Sequence, residues 1–244
     1  MSIELQGQVA IVTGAGQGLG RSHALALAAK GARVLVNDLG GPDGSSAAAE
    51  SVAAEIRDAG GEAQANGANV SDWDQVQAMV EQTMDAWGRV DILVNNAGIL
   101  RDKSFLKMPV EDFRLVVEVH LVGSALCSKA VWRIMREQAY GRIVFTSSSS
   151  GLYGNFGQAN YGAAKMAMVG LMNTLHLEGA KYNIHVKCLA PVAGTAMTEG
   201  LLPDAVFQML TPESVSPAVV FLCSEQAPSR QVVAAGGGSF AVFR

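Results

Sequence analysis

The chain has little cysteine: three residues in 244, Cys127, Cys188 and Cys223, each in an apolar stretch and none in a CxxC or metal-ligand spacing. That scarcity excludes a disulfide framework and predicts buried, reduced thiols. The chain also lacks any basic block, and its formal net charge is −4, so nothing points to nucleic acid as a partner. The four histidines, at 23, 120, 176 and 185, fall in no ligand pattern, and no metal is expected. No uninterrupted apolar run reaches the roughly 18 residues of a membrane span, and MSIELQGQVA at the start carries no apolar signal core. The expectation is a cytoplasmic protein with no membrane partner.

What is present is modest charge and abundant aliphatic and alanine side chains. At 25.5 kDa these suffice for one domain over 1–244. Apolar strand patterns fall near 8–13, 32–37, 62–66, 90–95, 141–147, 184–190 and 231–235, and helical patterns near 19–30, 45–59, 72–87, 111–138 and 158–181. This unbroken alternation predicts an α/β fold: a single doubly wound parallel sheet (Rossmann fold) with helices on both faces and right-handed crossovers. Ligands of such a sheet bind at the carboxyl ends of its strands, near the switch in strand order. Asp38, Asn69, Asn96 and Ser148 all fall at those ends.

The first of these ends carries a glycine loop. QVAIVT is followed by Gly14-Ala15-Gly16-Gln17-Gly18-Leu19-Gly20 and then by an Ala/Leu-rich helix. Glycines allow the tight turn and the close backbone approach that a pyrophosphate on a helix N-terminus needs. The next strand, ARVLVN, ends at Asp38, eighteen residues after Gly20. A carboxylate there can accept hydrogen bonds from both ribose hydroxyls of an adenosine. It also repels a 2′-phosphate, and Gln17 and Leu39 stand where a basic clamp would be expected, so NAD is favoured over NADP.

The segment SSSGLYGNFGQANYGAAK, 148–165, supplies the chemistry. Tyr161 and Lys165 stand at i and i+4 and share a helix face. An ammonium beside a phenol favours the phenolate and would lower the Tyr161 pKa toward neutrality. Ser148 closes the strand RIVFTS and can donate a hydrogen bond to a substrate oxygen. Proton transfer at a hydroxyl or carbonyl is the chemistry this trio suggests.

With these residues in hand, the chain resembles the short-chain dehydrogenase/reductase superfamily over nearly its whole length. The matching motifs are Thr13-Gly14-x-x-x-Gly18-x-Gly20, Asn95-Asn96-Ala97-Gly98, and Ser148, Tyr161 and Lys165. NDLGG, NNAGILRD, VHLVG, GLYGNFGQANY, EGAKYNIH and APVAGTAMT are similar to one branch of it. That branch comprises the (3R)-hydroxyacyl-CoA dehydrogenase domain of peroxisomal multifunctional enzyme type 2 and its free-standing bacterial relatives. The resemblance implies that Lys165 holds the nicotinamide ribose as well as acting on Tyr161, and that Asn69-Val70 is the adenine-contact position. An ordinary turn asparagine is the other reading of Asn69. Asn96, Ala97 and Gly98 would run beside the cofactor ribose or stabilise the central sheet.

Two departures from the superfamily pattern bear on the site. His120 stands where the superfamily usually has an asparagine; there the main-chain carbonyl of a kinked helix holds a water that connects to the lysine. His120 is kept as a relay member, with a packed histidine as the alternative. After the sixth strand, Pro191-Val192-Ala193-Gly194 replaces the usual Pro-Gly-x-x-x-Thr, with the carboxamide contact expected near Val192–Gly194 and the threonine contact open between Thr195 and Thr198.

A substrate lid is expected near 195–213, its apolar side made by Leu201, Leu202, Val206, Phe207, Met209 and Leu210; core packing is the alternative. Tyr153, Asn155 and Phe156 are candidates to line the same pocket. The combined reading is an NAD-dependent oxidoreductase interconverting a secondary alcohol and a ketone, with a 3-hydroxyacyl thioester as leading substrate. Alternatives are a hydroxysteroid or other secondary alcohol, a 3-oxoacyl thioester reductase, and a dinucleotide sensor without catalysis. Helices 111–138 and 158–181 carry more apolar residues than one buried stripe needs. Leu121, Val122, Leu126, Val131 and Trp132 lie on the first, Met166, Met168, Val169, Leu171 and Met172 on the second, and a homodimer or homotetramer pairing them is expected.

Overall fold

The computed structural model describes residues 3–41, 44–194 and 209–243. Seven strands alternate with helices along the chain: β1 (Val9–Val12), α1 (Gly18–Ala28), β2 (Arg33–Asn37), α2 (Ala47–Asp58), β3 (Ala63–Asn66), α3 (Trp73–Trp87) and β4 (Ile92–Asn95). The second half holds α4 (Val110–Val117), α5 (Gly123–Gln138), β5 (Gly141–Thr146), α6 (Ser149–Tyr153), α7 (Ala159–Gly179), β6 (Ile184–Pro191), α8 (Ser216–Cys223) and β7 (Val232–Gly236). A final strand, β8 (Ser239–Phe243), closes the described chain.

The strands form one sheet in the order β3-β2-β1-β4-β5-β6-β7-β8. All pairings are parallel except β7 with β8, where Val232 stands opposite Phe243 and Gly236 opposite Ser239. The expected doubly wound fold is therefore present with one correction, an antiparallel edge strand that the sequence patterns do not announce. The strand order switches between β1 and β4, which pair side by side.

The central strands are buried on both faces, and so their sequences are continuous apolar runs rather than alternating ones. VAIV of β1 and ILVN of β4 are fully buried. One apolar layer joins Ala10, Val12, Ala24, Leu27, Val52, Ile56 and Val219 under α1, α2 and α8. The other joins Ile11, Leu93, Val76, Met79, Val131, Met135, Phe145, Met168 and Met172 under α3, α5 and α7. Each Val, Leu, Ile, Met or Phe among them contributes about 1.5–3 kcal/mol by leaving water.

Local signals set the helix starts. Ser46 caps α2 by accepting the Ala49 amide, and Asp72 caps α3 by accepting the Asp74 and Gln75 amides. Two cations inside the sheet are unannounced by the sequence. Arg142 is buried, donates to the Asn183 carbonyl at 2.8 Å and lies over the Tyr140 ring at 4.1 Å. Buried Lys187 donates to the Leu222 carbonyl and so closes the C-terminal end of α8.

The helix expected over 111–138 is three pieces: α4, a π-helical turn at Glu118–Val122, and α5. In the π turn the Gly123 amide reaches the Glu118 carbonyl, one residue further back than in an α-helix. The stretch Val110–Gln138 holds an 18-residue window of mean hydropathy 1.4, long and apolar enough on that basis to cross a membrane. In the fold its Val116, Cys127, Val131 and Met135 are buried. Val131, Met168 and Met172 are thus satisfied within the chain, a correction to the expected surplus. Leu121, Val122, Leu126, Trp132, Val169 and Leu171 are half-buried, and Met166 is 49% exposed.

Candidate active site

The glycine loop between β1 and α1 is held from below by β4. Thr13 Oγ1 accepts the amides of Asn96 and Ala97, each at 3.1 Å, and Asn96 Nδ2 donates to the carbonyls of Thr13 and Gly14 at 3.0 and 2.9 Å. Gly14 has φ +61°, and a Cβ there would fall 2.7 Å from Ala97 Cα. At Gly20 a Cβ would fall 2.1 Å from the Gly14 carbonyl oxygen, so that glycine serves the packing of α1 against the turn. Gly18, Leu19 and Gly20 form the first turn of α1, preceded by Gln17 as its N-cap.

Unlike α2 and α3, α1 has no side-chain cap and no acidic residue in its first turn. Its N-terminal amides and the positive end of its dipole suit an anion such as a pyrophosphate, worth about 0.3–1 kcal/mol per charge on an exposed site. Asp38 stands beside them: its Oδ2 accepts the Gly16 amide at 2.6 Å. Leu39 next to it is exposed. The donor set fits an adenine dinucleotide, with amides for the phosphates and a carboxylate for the ribose.

Asn69 serves the turn. Its side-chain oxygen accepts the Ser71 amide at 3.0 Å, ahead of the α3 cap. Val70 is buried and packs where a Cβ on Gly123 would meet it at 2.9 Å. At the end of β6, Pro191 pairs with Ala235. The Val192 amide is already spent on the Ala235 carbonyl at 2.8 Å, and the Gly194 amide on Leu210. A carboxamide in this region would therefore meet other groups than those two amides. Thr195, Thr198, Leu201, Leu202, Val206 and Phe207 lie outside the described residues, as does most of the expected lid.

Ser148, Tyr161 and Lys165 come together at the carboxyl end of β5. Ser148 lies two residues past the strand and caps α6, accepting the Ser150 amide at 3.2 Å. Burial pushes the Tyr161 phenol above its ordinary pKa, and the nearby Ser148 hydroxyl opposes that rise. This corrects the expectation that Lys165 draws Tyr161 down. Burial is the larger effect, and the Lys165 amine turns to the Thr146 carbonyl at 2.6 Å, 5.4 Å from the Tyr161 ring centroid. Lys165 is 3% exposed, and burial lowers it to about 7. Half-charged near neutrality and held on Thr146, it is a weak source of phenolate stabilisation in this arrangement.

His120 sits in the π turn, 2% exposed, its ring edge-on to Tyr161 at 5.3 Å between centroids. Nε2 lies 3.0 Å from the Ile99 amide nitrogen and 2.8 Å from the Ile99 carbonyl oxygen. Nδ1 has no partner among the described residues. Burial, then the nearby Lys165, lowers His120 to about 3, so the imidazole is neutral at any working pH. The imidazole explains Gly98: a Cβ there would fall 2.2 Å from His120 Cε1. Gly98 thus makes room for His120 in addition to any role beside a ribose.

The sequence reading passed over Gln158, Asn160 and Asp102, which surround the first turn of α7. Gln158 Nε2 donates to Asp102 Oδ2 at 2.7 Å, and Asn160 Nδ2 donates to the Arg101 carbonyl at 3.0 Å. A signal was available in the amides of FGQANYG, packed closely before Tyr161, but not their partners. Of the expected pocket residues, Asn155 is committed to Gln158 through a 3.1 Å hydrogen bond. Tyr153 and Phe156 are exposed, the latter by 90%, and Tyr153 faces Phe243 at 5.9 Å.

A doubly wound sheet with a glycine loop, a rim carboxylate and a Ser-Tyr-Lys cluster defines a dinucleotide-linked enzyme class. Residues 8–205 match the family model described as short chain dehydrogenase, and the chain belongs to that family of oxidoreductases. It is 53% identical over 239 residues to a short-chain type dehydrogenase/reductase of Mycobacterium tuberculosis, covering 96% of this chain and 84% of that one. It is 52% identical to peroxisomal multifunctional enzyme type 2 of Drosophila melanogaster, over 91% of this chain but 38% of that much longer protein. Among solved structures, a 7α-hydroxysteroid dehydrogenase complexed with NADH and 7-oxo glycochenodeoxycholic acid superposes with TM-score 0.87 at 30% identity, covering 97% of this chain and 96% of the other.

Proposed function

We propose that the protein is an NAD-dependent dehydrogenase interconverting a secondary alcohol and a ketone, with a 3-hydroxyacyl thioester as its substrate class. The observation that carries this reading is the half-buried Tyr161, its phenol influenced by the Ser148 hydroxyl and its position one helical turn from Lys165, at the sheet edge that also bears the uncapped α1 and Asp38. When bound, the nicotinamide supplies hydride acceptance and donation. Tyr161 takes the alcohol proton during oxidation and returns it during reduction. Ser148 donates to the same substrate oxygen and orients it. Lys165, buried beside the Thr146 carbonyl, is placed to hold the nicotinamide ribose.

The 52% identity to peroxisomal multifunctional enzyme type 2 supports a hydroxyacyl thioester. A hydroxysteroid is the second reading, favoured by the 30% identical hydroxysteroid dehydrogenase and by the exposed rings of Tyr153 and Phe156 near the site. Assaying NAD reduction with 3-hydroxyacyl-CoAs, hydroxysteroids and simple secondary alcohols separates the two. Highest kcat/KM on a 3-hydroxyacyl-CoA is expected, and a steroid preference replaces the first reading with the second.

Asp38 supports NAD as the cofactor. Its carboxylate, fixed by the Gly16 amide, repels a 2′-phosphate, and its neighbour Leu39 offers no cation. Wild-type kcat/KM is expected to be higher with NAD than with NADP, and Asp38→Ser combined with Leu39→Arg should move the preference toward NADP. Equal use of both cofactors by the wild type would contradict this role of Asp38.

The half-buried apolar residues of α5 and α7 support a homodimer, or a tetramer built on it. Light scattering at micromolar protein is expected to give at least twice the 25.5 kDa of one chain. A fully active species of monomer mass would show that these faces need no partner.

A further inference from the structure

The segment from Ile99 to Lys103 touches the surroundings of Tyr161 at four places. The Ile99 backbone meets His120 Nε2. The Arg101 carbonyl accepts from Asn160, a residue with 0% exposure whose Oδ1 also accepts the Tyr161 amide at 2.7 Å. The Asp102 carboxylate accepts from Gln158, and the Lys103 amide donates to the Gly157 carbonyl at 2.9 Å. Buried amides engaged at both ends are costly to displace. Gln158 is engaged in this way, by Asp102 on one side and Asn155 on the other.

We propose that this segment is a clamp on the catalytic tyrosine, with Asp102 as a positioning residue that acts through Gln158. The inference rests on Tyr161 being the proton-transfer group. Asp102 also acts across space. The neighbouring cations Arg101 and Lys103 are turned to Asp112, at 3.9 and 3.4 Å, whereas Asp102 makes no ion pair among the described residues. Its charge therefore stands unneutralised before the phenol and adds to burial in raising it, while the Ser148 hydroxyl opposes both. The other polar neighbours are His120, neutral, from the π turn, and Lys165 from one turn along α7. The clamp thus fixes the ring and favours the protonated phenol, the form that donates to a ketone, so that alcohol oxidation, which needs the phenolate, gains as pH rises.

Two variants separate the parts. Asp102→Asn keeps the shape and an acceptor for Gln158 but removes the charge; Gln158→Ala keeps the charge and removes the link. In Asp102→Asn the rising pH limb of alcohol oxidation should move to lower pH, with kcat/KM on the acidic side of that limb raised about twofold, the scale of an exposed charge interaction. In Gln158→Ala, kcat should fall about tenfold, the scale of losing a hydrogen bond to a charged group, with the limb in place and KM for NAD unchanged.

Ultraviolet titration reads the phenol without any turnover. The chain has four tyrosines, and the step missing in Tyr161→Phe belongs to Tyr161. That step should move to lower pH in Asp102→Asn, even if no alcohol tested is a substrate, which separates failure of the clamp from failure of the dehydrogenase reading. A Tyr161 step at the wild-type pH in Asp102→Asn, or wild-type kcat in Gln158→Ala, overturns the proposal.

Discussion

Tyr161→Phe is expected to lower turnover by at least ~10²-fold, the low end of general acid–base catalysis. The phenyl ring fills the same space and still meets the His120 edge, so the fold and the binding of NADH should stay near wild type. Steady-state kinetics and a fluorescence titration with NADH measure the two effects separately. A large loss of NADH binding would mean that the ring, not the proton, is what matters. Because burial raises the phenol, oxidation by the wild type should accelerate with rising pH well above neutrality.

Lys165→Met is expected to abolish measurable oxidation while making the protein more stable. Among the described residues Lys165 is buried without a carboxylate partner, its amine held by the Thr146 carbonyl alone. Burial lowers it to about 7 from 10.5, so the folded state pays to keep it charged. That penalty is complete below about pH 7, and it fades between about 7 and 10.5, where the unfolded chain still binds the proton and the folded chain has released it. Replacing an unpaired buried cation by an apolar side chain of similar length should add ~1–3 kcal/mol. In thermal melts the advantage of Lys165→Met should be largest near about pH 6 and shrink as pH rises. A variant less stable than wild type at every pH would contradict the assignment of Lys165 as a strained functional cation.

Much of the architecture was legible because parallel strands buried on both faces leave unmistakable runs. QVAIVT, ARVLVN, DILV and RIVFTS each became a strand with ends within a few residues of expectation. The edge strand β8 was not legible. It follows three glycines and lies exposed at the border of the sheet, where Phe240 and Val242 are each 51% exposed. Helix α8 was missed because SPAVVFLC is short, apolar on nearly every side and carries a proline in its first turn. The π turn was hidden, since EVHLV has nothing that distinguishes one extra residue per turn from an ordinary helix.

At the site, local spacing carried the Ser148–Tyr161–Lys165 grouping and the glycine loop with Asp38. What spacing could not carry was direction and long-range pairing. Lys165 leans to Thr146, and Asn69 spends its oxygen on its own turn. Gln158 meets Asp102 across 56 residues of chain, and Asn160 meets Arg101 across 59. Such partners are set by how loops fold over the sheet edge, which no local pattern encodes.

The central claim is that this sheet edge oxidises a secondary alcohol with NAD through Tyr161. The most direct measurement is NADH absorbance on mixing the purified wild-type protein and Tyr161→Phe with NAD and a 3-hydroxyacyl-CoA, a hydroxysteroid or a simple secondary alcohol. The account predicts NADH from the wild type, fastest with the 3-hydroxyacyl-CoA, and at least ~10²-fold less from Tyr161→Phe. No NADH from any of these alcohols, or equal rates from the two proteins, would contradict it.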